Sequence, residues 1–137
     1  GLIGLPFEAY YSASKFAIEG FVESLRMEVM PFNIQVALID PGDFKTSISQ
    51  NRIRVKSPSV YSVAVDQVLS VTEYNETHGA DPLCIAQLIN DMMSRTKLKY
   101  RYLVGQWQQR LAVRVKNILP ASWFEKILLN HYGLAID

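Results

Sequence analysis

The stretch YSASKFAIEGFVESLRMEVMPFNIQVALIDPGDFKT (residues 11–46) determines the predicted fold class. Apolar and small residues recur every three to four positions from about Tyr10 to Met30, which predicts an amphipathic helix that Pro31 closes. The β-branched run Ile34–Ile39 is too short for a buried helix, so it predicts a strand buried on both faces. A helix joined by a short connection to a buried strand is typical of a parallel α/β sheet.

The remaining sequence continues the same α/β pattern. Residues 43–58, which include Lys45, Arg52, Arg54 and Lys56, are polar and predict a loop. The further predicted elements are helices at Ser59–Thr72, Asp81–Arg95, Gln106–Leu119 and Ser122–His131, and a strand at Tyr100–Val104. Two strands and five helices do not complete a doubly wound parallel sheet. We therefore predict that residues 1–137 form one C-terminal segment of a larger α/β domain.

Composition excludes several classes of protein. Fourteen Lys and Arg against thirteen Asp and Glu give a net charge of +1, which provides no reason to expect a nucleic-acid partner. The chain has one cysteine, Cys84, which cannot form an internal disulfide and favours a reducing cytoplasm. The two histidines, His78 and His131, are isolated, so no metal site is predicted. No apolar run approaches the ~20 residues of a membrane span. Because residue 1 is Gly1 and not Met, we expect an upstream segment to have been removed.

Two side chains at the start of the first helix suggest acid/base chemistry. Tyr11 and Lys15 are four residues apart, so they share one helix face. A phenol ionises near pH 10 in water, and a nearby ammonium favours the ionised form, which can exchange a proton with an alcohol or carbonyl oxygen. Tyr10 lacks this partner because Ser14 stands four residues after it. Taken alone, such a pair is also common on solvated helix surfaces.

The order of motifs narrows this choice. Tyr11-Ser12-Ala13-Ser14-Lys15 opens a helix, a buried strand follows, and Pro41-Gly42-Asp43-Phe44-Lys45-Thr46 comes after the strand. In motif and in order the sequence resembles the short-chain dehydrogenase/reductase family, most clearly over residues 1–47. The resemblance implies a Rossmann-type doubly wound parallel sheet. It also implies an oxidoreductase that interconverts an alcohol and a carbonyl by hydride transfer with NAD or NADP.

The resemblance also assigns roles to six residues. Tyr11 matches the family's catalytic acid/base, and Lys15 matches the lysine that assists it and holds the nicotinamide ribose. The residues matching the turn that lies over the nicotinamide are Pro41, Gly42, Phe44 and Thr46. Ligands sit at the carboxyl ends of parallel strands, which agrees with this placement.

Other parts of the family's site are missing from the sequence. Counting back from Tyr11 to the family's catalytic serine runs off the start of the chain, and the glycine-rich phosphate loop is absent. The segment Gly1–Gly4 has no preceding strand and no third glycine, so it is not a dinucleotide fingerprint. We therefore expect the isolated chain to bind dinucleotide weakly or not at all and to be inactive.

Two alternative functions stay open. The chain could be a non-catalytic association module derived from a dehydrogenase tail, or a lipid-binding segment that uses its C-terminal helices. The extended apolar C-terminal region allows a hydrophobic alcohol or ketone as substrate. A stripe of small residues on the first helix suits contact with another helix and predicts a homo-oligomer; it comprises Ala13, Ala17, Gly20 and Ser24.

Overall fold

The computed structural model describes residues 1–53 and 60–134, which form an α/β arrangement. The two strands are β1 (Leu38–Pro41) and β2 (Arg101–Val104). The helices are α1 (Ala9–Val29), a short 3-10 helix (Met30–Phe32), α2 (Ser62–Thr77), α3 (Leu83–Met93), α4 (Trp107–Lys116) and α5 (Ala121–His131). The predicted fold class, with two strands and about five helices, is confirmed for the described part of the chain.

The strands pair in parallel and form a two-stranded sheet. Their register runs from Leu38 opposite Arg101 to Pro41 opposite Val104. Beyond the last pair, the Gly42 amide donates to the Val104 carbonyl at 2.7 Å. Parallel strands need a crossover connection, and here α2 and α3 lie in that connection. The carboxyl ends of β1 and β2 therefore lie side by side.

The prediction for the first strand was wrong in position and in burial. We expected a strand at Ile34–Ile39 with both faces buried, but the ladder occupies Leu38–Pro41 and its residues are partly exposed. Before Leu38 the chain is held by a side chain instead. The Gln35 amide donates to the Thr96 carbonyl at 2.9 Å, and its oxygen accepts from the Leu98 amide at 2.7 Å. Because the Gln35 side chain takes up these backbone hydrogen-bonding groups, the strand ladder begins only at Leu38.

Helix positions agree more closely with the sequence. Helix α1 ends within one residue of its predicted bounds at both ends. Helix α2 runs five residues beyond its predicted end at Thr72, to Thr77. Its predicted first residue, Ser59, and the loop bases Arg54 and Lys56 lie outside the described residues.

A capping side chain followed by proline, as in Asp81-Pro82, predicts a helix start, and the start of α3 follows this pattern. The Asp81 carboxylate accepts a hydrogen bond from the Leu83 amide at 2.8 Å, and Pro82 already has helical backbone angles. An oxygen at this position satisfies one of the free amides of the first turn. The helix ends at Met93, two residues before the predicted Arg95.

Few side chains are buried in the described part of the chain. The buried hydrophobic residues there are Phe44, Val68, Phe124 and Tyr132. Large apolar side chains stay exposed on α1, α4 and α5, among them Phe21, Trp107 and Trp123. Within the described ranges, no helix combines the length and the apolar character needed to cross a bilayer. The exposed apolar surface is what an α/β segment would show without neighbouring layers.

Candidate functional site

The structure places Tyr11 and Lys15 on one face of α1. The Lys15 ammonium nitrogen lies 5.4 Å from the centroid of the Tyr11 ring, within the range of a cation–π contact. Tyr11 is 57% exposed, so a ligand can approach this residue from solvent. The helical spacing therefore produces the predicted pairing of phenol and ammonium. The catalytic roles of the two residues stay predictions.

Neighbouring side chains fix the start of α1. The Ser12 hydroxyl accepts a hydrogen bond from the Leu5 amide at 3.2 Å, and the Ser14 hydroxyl donates to the Tyr11 carbonyl at 2.7 Å. Both serine hydroxyls therefore bond to the backbone near the start of the helix. Tyr10, the rival of Tyr11, is 96% exposed.

A three-residue ion cluster connects α1 with the sheet. Arg101 on β2 donates to the Asp40 carboxylate on β1 at 2.7 Å and to the Glu19 carboxylate on α1 at 3.2 Å, and its second terminal nitrogen also pairs with Glu19. Glu19 lies one turn after Lys15 on α1. The cluster thus holds the helix that carries Tyr11 against the strand that leads into Pro41.

The two carboxylates of this cluster respond differently to the same arginine. Partial burial is the largest single effect on Glu19 and opposes its ionisation, but the hydrogen bonds with Arg101 and Asp40 and the charge of Arg101 together lower the pKa of that carboxyl. For Asp40, burial is the larger effect and raises the pKa despite the charge of Arg101. Burial therefore opposes the charge of both carboxylates, and the arginine counteracts it at both.

The turn after β1 is held by backbone hydrogen bonds at Gly42, Asp43 and Lys45. Phe44 is 8% exposed and forms an isolated parallel bridge with Ala80. The Ala80 amide donates to the Asp43 carbonyl at 3.0 Å, and the Lys45 amide donates to the Ala80 carbonyl at 3.0 Å. Of the turn residues that the family resemblance singles out, Phe44 points into the protein. Thr46 is exposed, and its hydroxyl accepts from the Ile48 amide at 3.4 Å.

One residue that holds this turn was missed by the sequence analysis. Gln109 on α4 donates to the Asp43 carboxylate at 2.6 Å and accepts from the Asp43 amide at 3.1 Å. The two residues are 66 positions apart, so no local pattern joins them. The only available signal was the short connection between β2 and α4, which brings the start of α4 to the carboxyl edge of the sheet.

A polar cavity of about 240 Å³ lies beside Asp43. It is lined by Asp43, Tyr74, Asn75, His78, Gln106 and Gln109. Burial, followed by the charge of Glu76, raises the pKa of the Asp43 carboxyl. His78 stacks on Tyr74 with 4.2 Å between ring centroids. The cavity therefore combines one carboxylate with amide and aromatic groups at the sheet edge.

Tyr132, which directly follows α5, is 5% exposed and interacts electrostatically with Asp43. Burial, assisted by the negative charges of Glu8 and Asp43, raises the pKa of its phenol to about 12. Burial also raises the pKa of Glu8, against the charge of Arg52. The segment before α1, the turn after β1 and the end of α5 are thus electrostatically connected. Within the described residues, no three His, Cys, Asp or Glu side chains gather as a metal site requires.

Comparison with known proteins adds independent observations. Residues 1–56 match the family model described as short chain dehydrogenase. The chain is 34% identical over 137 residues to 3-ketodihydrosphingosine reductase of Bacteroides thetaiotaomicron. The aligned region covers 98% of this chain and 51% of the relative. It is 37% identical over 134 residues to uncharacterized oxidoreductase YusZ of Bacillus subtilis, covering 93% of the chain and 48% of that protein.

A mammalian relative is also similar. The chain is 32% identical over 124 residues to dehydrogenase/reductase SDR family member 7B of Mus musculus, covering 90% of the chain and 35% of the relative. The chain therefore spans about half or less of the length of these proteins. Their names describe oxidoreductases, and the similarity extends beyond the motifs to nearly the whole chain.

Proposed function

Because this chain is a sequence of the short-chain dehydrogenase/reductase family, we propose that the protein carrying it interconverts an alcohol and a carbonyl compound. Hydride would be exchanged with NAD or NADP. The observation that carries this proposal is the position of the Lys15 ammonium, 5.4 Å from the centre of the exposed Tyr11 ring. The names of the relatives support oxidoreductase chemistry in general.

Tyr11 is the group that moves the proton. In reduction of a carbonyl compound, its hydroxyl donates a proton to the substrate oxygen, and in oxidation of an alcohol the phenolate accepts that proton. The adjacent Lys15 ammonium stabilises the negative charge that develops on the phenol oxygen. The exposure of Tyr11 allows a substrate oxygen to approach it.

The exposed side chains of Lys15 and Thr46 fit a nicotinamide cofactor, which supplies or accepts the hydride when bound. Lys15 is exposed and offers hydrogen-bond donors to a ribose. The Thr46 hydroxyl is exposed in the turn after β1 and would contact a carboxamide together with backbone groups of Pro41 and Gly42. Phe44 would act indirectly, because its buried side chain anchors the turn.

Residues 1–137 are proposed to be the C-terminal segment of the catalytic domain. Two observations support this: the chain spans about half of its bacterial relatives, and its described part leaves large apolar side chains exposed. The sequence carries no glycine-rich dinucleotide fingerprint, so the isolated chain is proposed to be inactive. The lone free thiol, Cys84, is consistent with a reducing, cytoplasmic location.

The substrate is proposed to be a small alcohol or ketone of hydrophobic character. The exposed Trp107 and Leu111 on α4 support this choice, as does the name of the Bacteroides relative, a reductase of a 3-keto compound. We also propose a homo-oligomer, because the small-residue stripe of α1 is exposed and a Cβ at Gly20 would meet nothing within 4 Å. A neighbouring helix could therefore approach closely there.

The test uses Tyr11→Phe in the protein that carries this chain. Removal of the hydroxyl should lower kcat/KM for reduction of a ketone by about 10²–10⁴-fold, the usual contribution of general acid/base catalysis. The measurement is oxidation of reduced nicotinamide cofactor across a panel of hydrophobic ketones. The matched control is Tyr10→Phe, which removes an exposed hydroxyl from the adjacent residue and should leave the rate unchanged. Equal rates for both variants would contradict the proposed role of Tyr11.

A further inference from the structure

Gln109 occupies an unusual position at the carboxyl edge of the sheet. Its amide lies where β1 and β2 end, and it makes two hydrogen bonds to Asp43 in opposite senses. One bond is to the Asp43 backbone and the other to its carboxylate, so both the chain and the side chain of Asp43 are fixed. A two-point contact of this kind restricts rotation as well as position.

Two glycines make room for this amide. A Cβ at Gly42 would lie 1.9 Å from the Gln109 side-chain oxygen, and a Cβ at Gly105 would lie 3.1 Å from it. Because Pro41 is opposite Val104 in the register, Gly42 and Gly105 are the next residues of the two strands. Gly42 therefore lacks a side chain at the place where Gln109 must fit.

We propose that Gln109 is a positioning residue that sets the Pro41–Thr46 turn for cofactor binding. This inference rests on the proposed function, because that function assigns the turn to the nicotinamide. Asp43 lies between Gly42 and Phe44, so fixing its backbone fixes the centre of the turn. Gln106, the residue directly before α4, donates to the His78 carbonyl at 3.1 Å and holds the start of the helix against the segment that bridges Phe44.

The first test measures the turn itself, without any catalytic activity. In the protein that carries this chain, Gln109→Met keeps the side-chain length but removes both hydrogen bonds. Amide hydrogen exchange at Asp43 should become about tenfold faster, since its acceptor is lost. The matched control is Gln108→Met on the same helix, an exposed glutamine whose substitution should leave this exchange unchanged. Unchanged exchange in Gln109→Met would overturn the proposal.

The second test uses the crowding at Gly42. Gly42→Ala should displace the Gln109 amide and speed exchange at Asp43 to a similar extent. Adding Gly42→Ala to Gln109→Ala should cause little further change, because the amide that clashes is already absent. Independent effects of the two substitutions would contradict a role of Gly42 in seating Gln109.

The third test separates positioning from general stability. Gln109→Met should raise KM for the nicotinamide cofactor by about tenfold with little change in kcat, because the turn is proposed to bind the cofactor and not to transfer the proton. Should Gln109→Met not fold, Gln109→Glu keeps the volume, loses the donor to Asp43 and should act in the same direction. An unchanged cofactor KM together with faster exchange would overturn the positioning role. If the unsubstituted protein transfers no hydride, the proposed function fails, while exchange at Asp43 still decides whether Gln109 holds the turn.

Discussion

The two parts of the proposed site are held in different ways. Tyr11 and Lys15 stand on one exposed helix face, and their proximity follows from helical geometry alone. The Pro41–Thr46 turn is fixed by residues far away in sequence, with Gln109 and Ala80 as its main partners. The helix pair therefore depends on local structure, whereas the turn depends on tertiary structure.

This difference predicts how each part of the proposed site responds to substitutions elsewhere in the protein. A substitution remote from α1 leaves the Tyr11–Lys15 spacing intact as long as the helix forms. The turn, in contrast, loses its geometry when α4 or the segment around Ala80 moves. Two groups connect the parts: the Glu19–Arg101–Asp40 cluster between α1 and the sheet, and Tyr132 beneath Glu8 and Asp43. Substitutions there probe whether the two parts are separable.

The largest effect on stability is expected for Arg101→Met. The substitution leaves the partly buried carboxylates of Glu19 and Asp40 facing each other without a cation, and should lower the free energy of unfolding by about 2 kcal/mol. Because the cluster joins α1 to β1, Arg101→Met should also lower kcat/KM more than Gln109→Met does. Urea unfolding of the protein that carries this chain measures the first quantity, and steady-state kinetics measure the second.

The matched control for this prediction is Arg110→Met. Arg110 is exposed on α4 and forms no ion pair within the described residues, so its removal should change stability little. If Arg101→Met were as stable as the unsubstituted protein, the cluster would not join the two parts. They would then be held together by packing alone.

A pH-dependent effect, smaller than that of Arg101→Met near neutral pH, is expected for Tyr132→Phe. Burial raises the pKa of Tyr132 to about 12, above the usual value of about 10 for an unfolded chain. Below about pH 10 the phenol is protonated in both states, and its contribution to stability is fully present. Between about pH 10 and 12 the unfolded chain releases the proton first, so stability falls as the pH rises, by about 1.4 kcal/mol per unit.

Measurement of the unfolding free energy across this pH range checks the prediction. Tyr132→Phe should remove most of the alkaline loss, while changing the free energy of unfolding near neutral pH by less than Arg101→Met does. Tyr10→Phe, at an almost fully exposed site, should leave the alkaline slope unchanged. The same alkaline slope in Tyr132→Phe and the unsubstituted protein would show that other groups cause the loss.

Sequence reasoning succeeded where structure is local. The bounds of α1, the cap of α3 by Asp81 and the side-by-side placement of Tyr11 and Lys15 all depend on residues within one or two turns of each other. The number and type of elements also followed, because apolar periodicity and breakers define each of them locally. These features need no knowledge of what packs against the chain.

Sequence reasoning failed where groups distant in the chain form hydrogen bonds with the backbone. The Gln35 side chain occupies backbone groups of Thr96 and Leu98, so β1 begins four residues later than its apolar run suggests. The Gln109 clamp on Asp43 spans 66 positions and leaves no periodic trace. Ile89 shares with Ile85 and Leu88 the apolar spacing that predicts a buried face of α3, yet it is exposed, because no layer of the described residues covers it. Burial depends on such layers and cannot be read from one helix.

The central claim is that the Tyr11 phenol and the Lys15 ammonium act as one unit in proton transfer, and a double-mutant cycle on kcat at saturating cofactor, which leaves out any loss of ribose binding by Lys15, tests it most directly. The cycle compares Tyr11→Phe, Lys15→Met and the double variant in the protein that carries this chain. If the ammonium acts through the phenol, the double variant should be within about twofold of Tyr11→Phe alone. If the fold-loss of the double variant equals the product of the two single losses, the residues act separately, and the central claim is contradicted.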